Sequence, residues 1–84
     1  AHAVREVPLS CVFTNPANPR RNFDPDDLAE LAKSIKQHGL LQPITVRPFK
    51  TPEISGEAFE IVLGERRWRA SNIAFGRTGT IKVA

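Results

Sequence analysis

The residues best suited to chemistry run from Gly64 to Arg69, where Gly-Glu-Arg-Arg-Trp-Arg follows an apolar stretch. The pattern predicts a strand that ends at Gly64 and a helix that begins at Glu65. Arginines in the first helical turn oppose the helix dipole by roughly 0.3–1 kcal/mol each, so the segment favours a bound anion that would compensate them. The helix N–H groups and the guanidinium groups would converge on one phosphate. Gly64 has no Cβ and would let that phosphate approach the backbone.

The same residues allow plainer interpretations. The cluster of Arg66, Arg67 and Arg69 could be a solvated helix face, and Glu65 could pair with one arginine while the others face solvent. Glu65 could instead ligate Mg²⁺ at phosphate oxygens or orient an attacking water. There is no second glycine and no Lys-Ser/Thr pair, so the segment is not a Walker A loop.

A second candidate is the loop over residues 14–24, which holds two Asn-Pro pairs. A residue before proline is pushed out of the helical region, so the pairs predict an ordered loop that presents polar groups at low entropy cost. Arg20 could therefore add a second clamp on a phosphate chain. Alternatively, the asparagines only cap turns and Arg20 lies exposed.

A third candidate is Gln42, which precedes Pro43 at the entrance to a strand that begins at Ile44. Its amide and the adjacent backbone could be offered to a base edge. A helix C-cap followed by a strand explains the same residues without any ligand.

These candidates must be positioned by a small set of elements. Residues 4–13 alternate loosely and predict one edge strand, in which Pro8 removes a ladder hydrogen bond. Asp24 is a good N-cap for a helix over 25–38 that ends before Gly39. The apolar stripe of this helix has the spacing i, i+3, i+4, i+7 and consists of Leu28, Leu31, Ala32 and Ile35.

The second half of the chain predicts strands over 44–47 and 59–63, the latter central and antiparallel to the former. A second helix over 65–75 ends at Gly76, and a last strand covers 80–83. The order β–loop–α–β–β–α–β is typical of an α+β domain, with a small mixed β-sheet and two main helices.

Length and composition narrow the class further. The 84 residues suffice for one domain, and the net charge of +3 lies wholly in residues 43–84, with seven basic and four acidic groups. A basic excess favours phosphate partners. The sequence has no run of about 18 apolar residues, so it predicts no membrane-spanning helix. The missing initiator Met and abrupt end predict a fragment of a longer protein, and residues 1–3 are interpreted as a cloning remnant.

Taken together, five motifs in order resemble the N-terminal domain of ParB-type partition proteins. The resemblance runs from about Val7 to Val83. It rests on residues 15–20, 23–24, 28–35, 39–47 and 64–70. It implies a ParB/sulfiredoxin-like fold and binding of CTP with Mg²⁺.

The resemblance also implies roles for individual residues. Gly64, Arg66 and Arg67 would hold the phosphates, with Glu65 beside the triphosphate as the candidate metal ligand or catalytic group. Two further sets would face the nucleotide: Arg20 and Asn18 from the loop, and Gln42, Pro43 and Ile44 near the base. Asn18 stands where the family usually has Gln. The chain also ends before the family's third nucleotide motif, so we expect this fragment to hydrolyse nothing.

The implied function is a CTP switch that closes two such domains into a clamp spreading along DNA during chromosome or plasmid segregation. The implied partners are DNA, a second copy and a ParA-type ATPase, in the cytoplasm of a bacterium on its nucleoid or plasmid. The longer protein would be a weak CTPase. The alternatives are a ParB-like transcriptional regulator, a nuclease-like domain using Glu65, and a module that binds the DNA backbone through Arg69 and its neighbours, marked by steep salt dependence.

Overall fold

A computed structural model describes residues 4–17, 22–39 and 42–84 of the chain. The elements are β1 (Arg5–Pro8), a 3₁₀-helix (Leu9–Cys11), β2 (Val12–Phe13), α1 (Pro25–His38), β3 (Thr45–Phe49), β4 (Ala58–Leu63), α2 (Glu65–Phe75) and β5 (Thr80–Val83). The predicted α+β class with two main helices is confirmed. Within the described ranges, neither helix is long and apolar enough to cross a membrane.

The sheet is mixed and β4 is its centre, as predicted. β4 pairs with β2 in parallel and with β3 in antiparallel orientation, while β1 and β5 form a separate antiparallel ladder. Ile44 joins the two ladders, because its N–H donates to Lys82 O at 3.1 Å and its C=O accepts from Ala84 N at 2.9 Å. Val46 N then donates to Ala84 O at 3.1 Å.

The prediction of one strand over residues 4–13 is wrong. A single strand cannot bury Val7, Leu9 and Val12 on one face, because its side chains alternate and the last two are three residues apart. All three are buried. The 3₁₀-helix between β1 and β2 shifts the phase and carries the chain from β5 to β4. Leu9 N, which donates to Gly79 O at 2.9 Å, fixes this turn.

Helix α1 begins and ends where its sequence predicts. Asp24 Oδ1 accepts a hydrogen bond from Asp26 N at 3.0 Å, which caps the first turn. Gly39 N donates to Ile35 O at 2.7 Å at the other end. Ala32 and Ile35 pack with Ala70 of α2, so the apolar stripe faces the second helix.

Helix α2 lies between two apolar clusters. Ala70 contacts α1, while Trp68 is half-buried against the main core. That core consists of Val7, Leu9, Val12, Ile44, Phe59, Ile61, Ile81 and Val83. Contacts on both sides hold the N-terminus of α2 in place beside the end of β4.

Strand β3 carries a proline at position 48. Val46 N points away from β4 toward Ala84, and neighbouring residues of a strand hydrogen-bond to opposite sides. Pro48 therefore faces the same outer side as Val46, and its missing N–H removes no hydrogen bond from the β3–β4 ladder.

Candidate anion-binding site

Gly64 forms the junction between β4 and α2. Its backbone lies at φ 105° and ψ 25°, and its carbonyl accepts the first α2 hydrogen bond from Trp68 N at 3.0 Å. A Cβ at this position would come within 2.7 Å of Ile44 Cγ2. Both the backbone conformation and the packing of Ile44 therefore require glycine, a reason that the sequence did not disclose.

Each of the three arginines in the first turns of α2 has a partner. Arg66 binds Asp27 of α1 in a two-bond fork, with Nε 2.6 Å from Oδ2 and Nη2 2.8 Å from Oδ1. The hydrogen bond to Asp27 raises the pKa of Arg66 above its ordinary value; partial burial opposes this and the Asp27 charge adds to it. Arg67 Nη1 reaches Pro43 O at 3.3 Å, which is long for such a bond.

Arg69 is held on two sides. Its Nε donates to Glu65 Oε2 at 2.8 Å, and its guanidinium carbon lies 4.5 Å from the centre of the Phe23 ring. The Glu65 side chain is only 7% exposed. Glu65 therefore pairs with one arginine, as one interpretation has it. The other two do not simply face solvent, because Arg66 binds Asp27 and Arg67 reaches Pro43 O. A contact of Arg69 with DNA stays a prediction.

An open cleft of about 310 Å³ lies in front of the α2 N-terminus. Gly64, Glu65, Arg66 and Arg67 form one wall, and the other is apolar, with exposed Val62 and Leu63 at 49% and 68%. Phe23 completes the lining. The cleft therefore places the N-terminus of α2, a feature that favours anions, beside an apolar surface. A larger cavity of about 510 Å³, lined by Ser71, Lys82 and others, includes none of the predicted site residues.

Four residues of this neighbourhood were not predicted from the sequence: Phe23, Asp27, Val62 and Leu63. Period-2 alternation along β4 would have placed Val62 outside the core. Phe23 and Asp27 contact the site only because α1 packs on α2, and no local sequence pattern predicts this packing.

The other predicted site residues differ in where they lie and in how buried they are. Gln42 is exposed, and Pro43 is half-buried and tied to Arg67. Ile44 is fully buried, and its N–H and C=O are both engaged, so its observed role is to pack beneath Gly64. Asn18 and Arg20 lie outside the described residues. The nucleotide contacts assigned to all of these positions stay predictions.

The described ranges contain no group of three His, Cys, Asp or Glu side chains placed to hold a metal ion. Mg²⁺ bound to a nucleotide commonly takes one or two carboxylates, with phosphates and water as its other ligands. Glu65 fits that pattern as a single ligand only if its carboxylate serves Arg69 and the ion together.

The model of the family described as the ParB N-terminal domain matches residues 1–84. The chain belongs to this family. It is 48% identical over 79 residues to the chromosome-partitioning protein ParB of Caulobacter vibrioides NA1000, which covers 94% of this chain and 25% of that protein. It is 46% identical over 67 residues to the nucleoid occlusion protein of Geobacillus thermodenitrificans NG80-2, covering 80% and 22%. The chain thus spans about a quarter of the length of these two curated relatives.

Two solved ParB structures share the fold. A C-terminally truncated ParB from Caulobacter crescentus complexed with CTP-γ-S matches with a TM-score of 0.83 and 42% identity, over 99% of this chain and 43% of that chain. The truncated protein complexed to the centromeric parS site matches with a TM-score of 0.79 and 45% identity, over 95% and 38%. The family resemblance read from the five motifs is confirmed.

Proposed function

We propose that this domain binds CTP with Mg²⁺ in the cleft at the start of α2 and acts as the nucleotide-dependent switch of a DNA-partition protein. One observation carries the proposal: Gly64, Arg66 and Arg67 line a single cleft with an apolar wall. Support comes from the solved relative, 42% identical, that is complexed with CTP-γ-S.

The phosphates are assigned to the first turn of α2. Gly64 offers no side-chain cap to this helix, and the first amides of a helix lack partners within it. Those amides and the helix dipole attract an anion. Arg66 and Arg67 extend from the same turn, and each can present a fork of N–H donors to phosphate oxygens. The triphosphate would bring Mg²⁺, which neutralises phosphate charge, with Glu65 as the candidate ligand.

The base and ribose are assigned to the apolar side of the cleft. Phe23, Val62 and Leu63 supply its surface, and apolar lining with a few polar groups is usual for ligand sites. Arg67 connects the phosphate end to Pro43, so the segment that begins at Gln42 is the candidate reader of the base. Asn18 and Arg20 are proposed as further contacts from the loop that leads into α1.

The proposed switch depends on a triphosphate that bridges two parts of the domain. A triphosphate held by Arg66 and Arg67 on α2 and by Arg20 on the loop would favour the arrangement that brings both together, because a ligand shifts a protein toward the state that it binds better. In the longer protein this closure would clamp two copies of the chain on DNA. That protein would have a ParA-type ATPase as its partner and would hydrolyse CTP weakly. It would act on the bacterial nucleoid or on a plasmid. DNA binding is supported by the relative solved with its parS site.

Titration calorimetry of the 84-residue chain with CTP, ATP and GTP in Mg²⁺ tests the proposal. We expect heat from CTP alone, and its loss in Arg67→Ala. Arg77→Ala is the matched control, since Arg77 is exposed and reaches Ser10 O at 3.4 Å outside the cleft. Equal binding of all three nucleotides, or equal binding by Arg67→Ala and the control, would contradict the proposal.

A further inference from the structure

The partner of Arg66 has the same shape as the ligand proposed for it. Asp27 presents two oxygens to Nε and Nη2 at 2.6 and 2.8 Å, and a phosphate offers a similar pair to a guanidinium fork. We propose that Asp27 is an internal competitor for Arg66, which a phosphate ligand must displace, and that it sets the affinity of the cleft. This inference rests on the proposed function.

The Arg66–Asp27 ion pair can exchange Asp27 for a phosphate. The two side chains are 40% and 41% exposed, so water reaches both and screens their attraction. Asp27 also lies in the first turn of α1, where the helix dipole stabilises its negative charge after Arg66 has left. A ligand phosphate in the cleft meets the helix dipole of α2 in addition to Arg66, an advantage that Asp27 does not have. The phosphate is therefore expected to win at modest concentration.

The exchange of Asp27 for a phosphate would also couple the cleft on α2 to the start of α1. The Arg66–Asp27 fork joins α2 to the first turn of α1, while the packing of Ala32 and Ile35 on Ala70 lies further along α1. Displacing Asp27 would remove this link between the first turn of α1 and α2, and would leave the Asp24 cap and the packed turns in place. That first turn follows directly on the loop proposed to contact the nucleotide, so phosphate binding on α2 would be felt where the loop begins.

Asp27→Asn tests the competition, with Asp26→Asn as the matched control. Asp26 lies in the same helical turn and is exposed, so both variants remove one negative charge from one place. The probes are inorganic triphosphate and CTP, each with Mg²⁺, followed by calorimetry. We expect Asp27→Asn to bind each probe about twofold to fivefold more tightly than Asp26→Asn, the range set by a half-exposed ion pair. The gain should vanish in an Arg66→Ala background, as a double-mutant cycle requires.

The Nε–H resonance of Arg66 gives a second readout that does not depend on affinity. In the wild type it should move when the cleft is saturated, because its acceptor changes from carboxylate to phosphate. Equal affinities of the two variants, a gain that survives Arg66→Ala, or a resonance unmoved at saturation would each overturn the competition.

Failure of the competition is distinguishable from failure of the proposed function. Tighter triphosphate binding by Asp27→Asn without any preference for CTP would uphold the competition and contradict the nucleotide assignment. CTP-selective binding without a gain would do the reverse. Absence of binding of either probe to any of the proteins would overturn both.

Discussion

Replacing Gly64 by alanine should destabilise the domain more than any other substitution of a glycine by alanine at a helix end. The positive φ of 105° imposes backbone strain of about 1–3 kcal/mol on a non-glycine residue. The new Cβ would also lie 2.7 Å from Ile44 Cγ2 and 2.9 Å from Ile44 Cβ. Ile44 is fully buried and cannot move aside, so overpacking adds about 1–3 kcal/mol. The sum approaches the whole stability of a small domain, on the order of 5 kcal/mol.

Gly76→Ala separates the two contributions. Gly76 ends the same helix at φ 69° and ψ 178°, another backbone conformation that L residues rarely adopt. Nothing lies within 4 Å of its missing Cβ, so Gly76→Ala should show backbone strain of about 1–3 kcal/mol without a clash. Urea unfolding of the wild type and both variants, without nucleotide and in one concentration of sucrose to keep each folded, gives the free energies of unfolding. An equal loss in the two variants would refute the argument that Ile44 packs against position 64.

Three further outcomes follow from contacts described above. Asp24→Ala should lose about 1 kcal/mol of unfolding free energy, because the cap on Asp26 N is removed; urea unfolding measures this, and an unchanged midpoint would contradict it. Glu65→Gln should lose about 1 kcal/mol, since the amide oxygen can still accept from the half-exposed Arg69 but without the carboxylate charge, and a gain in stability would be contrary to that assignment. Arg5 lowers the pKa of Glu57 below its ordinary 4.5, through a hydrogen bond first and charge second. The stability from this pair is present above pH 4.5 and is lost as the pH falls through the lowered pKa, so the advantage of the wild type over Glu57→Gln should disappear in acid, and a pH-independent difference would rule out the linkage.

Local chemistry was predictable from the sequence where the cause lay within one helical turn. The cap at Asp24 and the end of α1 at Gly39 depend on neighbouring residues only, and the position of the strand-to-helix junction at Gly64 is likewise visible in the local sequence. The bond from Arg69 to Glu65 is of the same kind, because residues four apart on a helix face each other.

Long-range causes were beyond the sequence. Asp27 and Arg66 are 39 positions apart, so nothing in either local segment indicates that they form a pair. The sequence predicted Gly64 as the junction between strand and helix, but not that a side chain at this position would collide with Ile44. That contact depends on how the segment leading into β3 packs. The 3₁₀-helix after β1 escaped because loose alternation over residues 4–13 resembles one strand even when two ladders share it.

The position of Pro48 bears on how this domain behaves at high concentration. An exposed strand edge invites a strand from another molecule, because its unpaired N–H and C=O groups form a template for pairing. On β3, the outer N–H of Val46 is taken by Ala84, and the next outward position is a proline with no hydrogen to give. A foreign strand approaching this edge would find the donor series interrupted at Pro48, so this edge guards the domain against edge-to-edge aggregation without weakening its own sheet.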